Sequence, residues 1–179
     1  MKLLRTIRLD PSDTFVFERA AEPGEWAVPG AFAFAHVDVA ALEGKRRAAF
    51  RSGFLGIDSL GWSTLVQVVD ATEDDRAAAI ELLAQRLVEH FGAPDLATAR
   101  PAAEEEIAFA ASLSEHPKGM LVALARKFEN GAIREAFRTL TPAVGTQPAR
   151  AYAFLEVEGE EDAPAEDVDL VSLVKGQRR

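Results

Sequence analysis

A chain of 179 residues, 48% of them hydrophobic, is long enough to fold as one domain around its own core without crosslinks or metals. It contains no cysteine, which excludes disulfides, thiolate-bound zinc, iron–sulfur clusters and thiol nucleophiles. A net charge of −9 argues against a nucleic-acid partner, because polyphosphate is held by Lys and Arg that displace condensed counterions.

The charge is unevenly spread. Residues 58–117 hold three Lys/Arg against twelve Asp/Glu and residues 151–179 hold three against eight, whereas residues 118–150 hold six against two. At the N-terminus, Lys2, Arg5 and Arg8 interrupt the apolar residues, unlike the unbroken apolar core of a secretory signal. Leu65 to Val69, broken by Gln67, falls far short of the roughly 20 residues that span a bilayer. A cytoplasmic protein with no membrane association is expected.

In chain order, Leu3–Leu9 and Thr14–Arg19 are short β-prone runs around the turn formers Asp10-Pro11-Ser12-Asp13, which predicts a hairpin. From Ala31 to Val37, Phe32, Phe34 and His36 alternate with small residues, the pattern of a strand with an aromatic face. Trp62 to Val69 is a β-branched run. It leads into a helix over residues 73–91, where Ile80, Leu83, Ala84, Leu87, Val88 and Phe91 form one apolar stripe. Thr72 is the expected N-cap with Asp75 as its reciprocal partner, and Gly92 and Pro94 end the helix. Pro101, a favoured first helical residue, opens a second helix over residues 101–115.

Residues 120–140 fit either two strands or a broken helix. Asn130-Gly131 favours strands, since both residues tolerate the positive φ of a type I′ turn. A two-residue loop there pairs Phe128 with Ile133, Arg126 with Glu135, Leu124 with Phe137 and Val122 with Thr139. This register puts the large apolar residues on one face, toward the helices, with an opposite-charge pair among them. A final strand is expected over residues 150–157. The fold class is therefore α+β, a mixed, largely antiparallel sheet of about six strands with two main helices (73–91 and 101–115) on one face. Residues 1–157 form one domain, and residues 158–179 are expected to be an acidic, mobile tail.

Two groups of cations stand out. Lys45, Arg46, Arg47 and Arg51 are unopposed by any acid from Gly44 to Ile57, and Gly53, Gly56 and Gly61 follow. Glycine-rich turns beside basic residues hold phosphate or carboxylate in many proteins, so Arg46, Arg47, Arg51, Gly53 and Gly56 form a candidate anion site. The blander reading, tight turns beside a solvated basic segment, carries more weight because the spacing matches neither GxGxxG nor a P-loop. On the hairpin, Lys127 opposes Arg134 with Arg138 nearby, a candidate interaction face. Opposed like charges require a neighbouring acid, and an intramolecular one is the simplest source. Asp70, Glu73, Asp74 and Asp75 lack the spacing of a calcium loop and are explained by helix capping. His36, His90 and His116 form no metal motif, and Gly61-Trp62-Ser63-Thr64-Leu65 breaks GxSxG. No catalytic residue, metal or cofactor is expected.

Three stretches, Gly53-Phe-Leu-Gly-Ile-Asp-Ser-Leu-Gly-Trp-Ser-Thr-Leu65, Glu129-Asn-Gly-Ala-Ile-Arg-Glu-Ala-Phe-Arg-Thr-Leu140 and Phe154-Leu-Glu-Val-Glu-Gly159, resemble an uncharacterised family of small proteobacterial proteins, a domain of unknown function. The resemblance implies a bacterial cytoplasmic protein with an accessory role beside larger redox enzymes. It brings no catalytic motif. The expected function is a non-catalytic accessory or protein-interaction module, with a protein partner or a second copy of itself. The alternative is a binder or minor enzyme for an anionic small molecule at residues 44–61.

Overall fold

The computed structural model describes residues 1–142 and the strand at 155–157. Its main element is a five-stranded sheet in the order β1-β5-β6-β7-β8, formed by β1 (Lys2–Ile7), β5 (Leu65–Asp70), β6 (Leu121–Glu129), β7 (Ala132–Pro142) and β8 (Leu155–Val157). Three short strands, β2 (Ala27–Val28), β3 (Phe54–Gly56) and β4 (Trp62–Ser63), make a separate sheet in the order β2-β3-β4. All these pairings are antiparallel. The fold is thus α+β, with eight strands in two sheets among the described residues rather than about six in one. The expected strands at 150–154 and the acidic tail at 158–179 lie outside the described residues.

The β6–β7 hairpin has the register read from Asn130-Gly131. Phe128 faces Ile133, Arg126 faces Glu135, Leu124 faces Phe137 and Val122 faces Thr139. Both turn residues have positive φ, 53° at Asn130 and 78° at Gly131, as a type I′ loop requires. The alternation places Leu124, Arg126, Ile133, Glu135 and Phe137 inside. Phe128, expected to face the helices, is 50% exposed. It lies near the turn, opposite buried Ile133.

Helix α3 (Glu73–His90) forms for the expected reasons: Thr72 and Asp75 make a reciprocal capping box, and Gly92 follows the helix at φ +84°. Helix α4 (Leu96–Ser112) begins five residues before Pro101. Asp95 is its N-cap, accepting from the Thr98 amide at 2.8 Å, and Pro101 lies inside the helix. The proline removes a bond to the carbonyl of Ala97, an exposed residue that water can satisfy. Ala99, Ala103, Ile107 and Ala110 of α4 join Ile80, Leu83 and Ala84 of α3 in the main core, against Leu4, Val66, Val68, Val122, Leu124 and Phe137 of the large sheet.

Two other expectations are corrected. Thr14–Arg19 is not a strand: α1 (Ser12–Val16) occupies it. Pro11, Ser12 and Asp13 are helix-opening residues as well as turn formers. Asp13 is buried and accepts from the Thr64 amide at 3.1 Å and the Thr64 hydroxyl at 2.6 Å, fixing the crossing from β4 to β5. Ala31–Val37 is not a strand either, but contains a 3-10 turn at Ala31–Phe34. Gly30, at φ +81°, turns the chain there, and a Cβ on it would lie 2.7 Å from that of Leu55. Helix α2 (Gly44–Ser52), which carries the first basic group, had no sequence expectation.

Phe137 stacks between Phe54 and Phe109 at centroid distances of 6.3 and 5.8 Å. Phe137→Ala is expected to lower stability by about 3–5 kcal/mol in urea unfolding, and Gly131→Val to lower it through the strained turn. Exposed Phe128→Ala is expected to change it by about 0.5 kcal/mol or less.

Candidate functional site

Beyond β5, which pairs only with Leu121–Ala123, the outer half of the hairpin is joined to α2 by Arg126. Its side chain is fully buried, and all five of its N–H donors have acceptors. Nε donates to Glu135 Oε2 at 2.7 Å. One terminal nitrogen donates to the carbonyls of Phe50 at 2.7 Å and Ala49 at 3.3 Å, and the other to those of Pro29 at 2.6 Å and Gly53 at 3.3 Å. Arg126 therefore caps the C-terminal end of α2, taking the Phe50 carbonyl and sharing the Ala49 carbonyl with the Gly53 amide. The rings of Phe34 and Phe50 lie 5.6 and 5.9 Å from the guanidinium carbon.

The peptide between Pro29 and Gly30 continues the network. Its carbonyl accepts from Arg126, and its N–H donates to Glu106 Oε2 of α4 at 3.2 Å. Three charged groups, Glu135, Arg126 and Glu106, are thereby linked through two hydrogen-bonded steps. Burial is the main reason that the Glu106 carboxyl is pushed up to about 7, with the Glu135 charge adding to it; Arg126 and the Gly30 amide oppose the shift. Burial also pushes Glu135 up against the pull of Arg126. Glu135 Oε1 has no hydrogen-bond partner among the described residues.

Two clefts adjoin this network. The first, about 1050 Å³, lies between α2 and the hairpin, and its lining includes Arg47, Arg51, Lys127 and Arg134. The two basic groups picked out in the sequence thus meet in space. Lys127 does oppose Arg134, and the intramolecular acid beside them is Glu129, 3.6 Å from Lys127 Nζ and 3.9 Å from Arg134 Nε. Arg47 and Arg51 have no carboxylate within 4 Å among the described residues. Arg138 shares the outer face of β7 with Arg134 but does not line the cleft. Arg46 turns away into a smaller hollow beside Lys45, Arg19 and Trp62.

The glycines do not floor this cleft. A Cβ on Gly53 would meet Trp62 and the Ala49 carbonyl at 2.9 Å, and one on Gly56 would meet Glu25 Oε1 at 2.5 Å. The turn that follows does hold a carboxylate, and it is the protein's own. Buried Glu25 accepts from the amides of Asp58 at 3.0 Å and Ser59 at 2.9 Å and from the Ser59 hydroxyl at 2.6 Å.

The second cleft, about 540 Å³, lies between α3 and α4 and is walled by Leu83, Leu87, Phe32, Phe91 and Phe109, with Glu106 on its lining. A carboxyl that changes protonation near neutrality in an apolar cleft can exchange a proton or hold a cation. Arg126 and Glu135 were read from the sequence as a cross-strand pair without a role. Glu106 was missed, although its position in the series 99, 103, 106, 110 puts it on the buried stripe of α4.

Residues 1–152 match the profile of a family of unknown function, DUF6505. The chain belongs to that family. No curated protein and no solved structure matches it. Among the described residues of this DUF6505 protein, no helix is long and apolar enough to cross a membrane.

Arg126→Met is expected to destabilise by about 3–5 kcal/mol in urea unfolding, because it strands the Glu135 charge and the carbonyls of α2. Glu106 gives a pH dependence of defined sign. Its folded pKa lies above the ordinary value of 4.5, so its contribution is complete below about pH 4.5 and is lost as pH rises through about 7. Glu106→Gln is expected to match the wild type near pH 4.5 and to exceed it by about 2–3 kcal/mol at pH 8, read from paired unfolding curves.

Proposed function

We propose that this protein is a non-catalytic interaction module of the bacterial cytoplasm that holds an acidic segment of a protein partner in the cleft between α2 and the β6–β7 hairpin. The observation that carries this reading is the meeting of two basic segments in one open cleft, on a protein of net charge −9. The fold does not need these cations. Arg47 and Arg51 stand one turn apart on an exposed helix face, an arrangement of like charges that slightly weakens a helix. Lys127 and Arg134 oppose each other on the hairpin and, among the described residues, share one acid, Glu129. A partner that brings carboxylates relieves both strains.

An anionic metabolite at residues 44–61 is the weaker reading. Arg46 diverges from Arg47 and Arg51, Gly53 and Gly56 are packed against Trp62 and Glu25, and the amides of Asp58 and Ser59 are taken by Glu25. The remaining surface is an open cleft of about 1050 Å³, which suits a length of polypeptide. The family resemblance read from the sequence points to larger redox enzymes as the neighbours of such a module.

The test is affinity capture from native lysate, followed by binding measurements with the purified partner. Charge reversal of Arg47, Arg51 and Lys127 to Glu is expected to weaken the complex by about tenfold or more, and rising salt to weaken the wild-type complex. All three side chains are exposed, so the unfolding transition should be retained. A monomeric protein with no stoichiometric partner, or a complex indifferent to the triple reversal, would defeat the proposal.

A further inference from the structure

The apolar cleft between α3 and α4 is separate from the basic cleft, and nothing in the reading above depends on it. Its volume of about 540 Å³ falls within the range of about 300–1,000 Å³ typical of small-molecule sites. Phe32 and Phe91 meet edge to face at 5.2 Å on its wall, and Phe109, Leu83 and Leu87 complete an apolar surround. Among the described residues, Glu105 and Glu106 are the carboxyls on its lining, His36 is the one imidazole, and no Lys or Arg contributes.

We infer that this cleft binds an apolar primary amine, its ammonium paired with Glu106 and its hydrocarbon or aromatic body packed among Phe32, Phe91 and Phe109. Charge balance is the main argument. Among the described residues, the titratable and charged groups around Glu106 are Glu105 on its own helix, Glu135 and Arg126 on the hairpin, and the imidazole of His36 on the cleft lining. Arg126, the one Lys or Arg acting on Glu106 among the described residues, is already committed to Glu135 and four backbone carbonyls. Ionised Glu106 therefore lacks a counter-charge. A bound ammonium supplies it, and aromatic rings within about 6 Å of a cation add further attraction. A carboxylate ligand would meet the like charges of Glu105 and Glu106 on the lining, and a neutral ligand would leave the balance unchanged.

Binding is coupled to protonation. Below about pH 7 Glu106 holds a proton, which must leave for the solvent when an ammonium takes its place, so amine affinity rises as pH increases through that range. His36 sits at the same cleft, and the variant His36→Gln removes the imidazole as a second source of pH dependence.

The experiment is calorimetric titration of the full chain with 2-phenylethylamine, 2-phenylethanol and 3-phenylpropionate at pH 6 and pH 8, with NMR of the aromatic side chains locating the site. The amine is expected to bind at least about tenfold more tightly than the alcohol at pH 8, a difference of about 1.4 kcal/mol. It should bind more weakly at pH 6 and perturb Phe32, Phe91 and Phe109, while the carboxylate does not bind. Glu106→Gln, which keeps the neutral shape of the protonated carboxyl, should abolish the preference for amine over alcohol. Ala102→Arg, an exposed substitution on the lining of the cleft, should abolish amine binding independently of any effect at Glu106. Equal affinity for amine and alcohol, amine binding that survives both substitutions, or no response at the three phenylalanines would overturn the inference.

Discussion

One guanidinium, that of Arg126, is shared by the hairpin, the end of α2, Gly53 and the turn at Pro29, and the arrangement of both clefts depends on it. Burying a guanidinium is unfavourable by several kcal/mol unless the site returns a charge and enough acceptors. Glu135 returns the charge, and four carbonyls complete the acceptors. Lysine could not replace it, since an ammonium has three donors on one atom and cannot reach acceptors set around a plane. The geometry thus fixes where α2 stops and how closely it approaches β6. The cations of α2 face those of the hairpin because Arg126 holds the two elements together from inside.

The same residue creates the electrostatic condition of the second cleft. One buried cation is shared between two nearby carboxyls, Glu135 in direct contact and Glu106 through the Pro29–Gly30 peptide. Full ionisation leaves this poorly solvated group with a net negative charge, and burial raises both carboxyls, Glu106 up to about 7 without a guanidinium contact and Glu135 against the pull of Arg126. A polarised peptide transmits part of the Arg126 field to Glu106 but gives only one hydrogen bond, which does not offset burial. The ionisation of Glu106 is therefore a property of the packing of four chain segments, not of its neighbours in sequence.

That distinction explains what could be read in advance. The hairpin register followed from Asn130-Gly131 and a two-residue alternation, both local, and α3 followed from the Thr72–Asp75 box and an unbroken stripe. Phe32, Phe34 and His36 misled because alternation alone cannot exclude a 3-10 turn; the deciding facts are Gly30 at φ +81° and the packing of Phe34 against Phe50 and Trp62, centroids 5.2 and 5.3 Å away. Pro101 misled because a helix tolerates proline where the orphaned carbonyl reaches water. The basic groups were visible as composition, but their meeting was not, since it depends on Arg126 reaching α2 from 76 residues away. The glycines beside them suggested an anion site, but Gly53 packs on Trp62, and Gly56 packs on Glu25, a carboxylate supplied from a turn remote in sequence that occupies the amides of Asp58 and Ser59.

Burial separates the arginines into two kinds with different consequences for the molecule. Arg126 has no exposed side chain and every donor engaged, so its removal acts first on folding and only through folding on any site. Arg47 and Arg51 are exposed and make no ion pair among the described residues, so their charge contributes little to the folded state and is available to whatever approaches the cleft. The two clefts also present opposite charges. The outer one presents cations that water already solvates, so it suits contacts that form and break readily and weaken with salt. The inner one presents a carboxyl that water solvates poorly, where a small cation gains more from each contact because the surrounding medium screens it less. In a chain of acidic composition the fold thus places one set of charges, Arg47 and Arg51, in solvent and withdraws another, Glu135 and Arg126, from it.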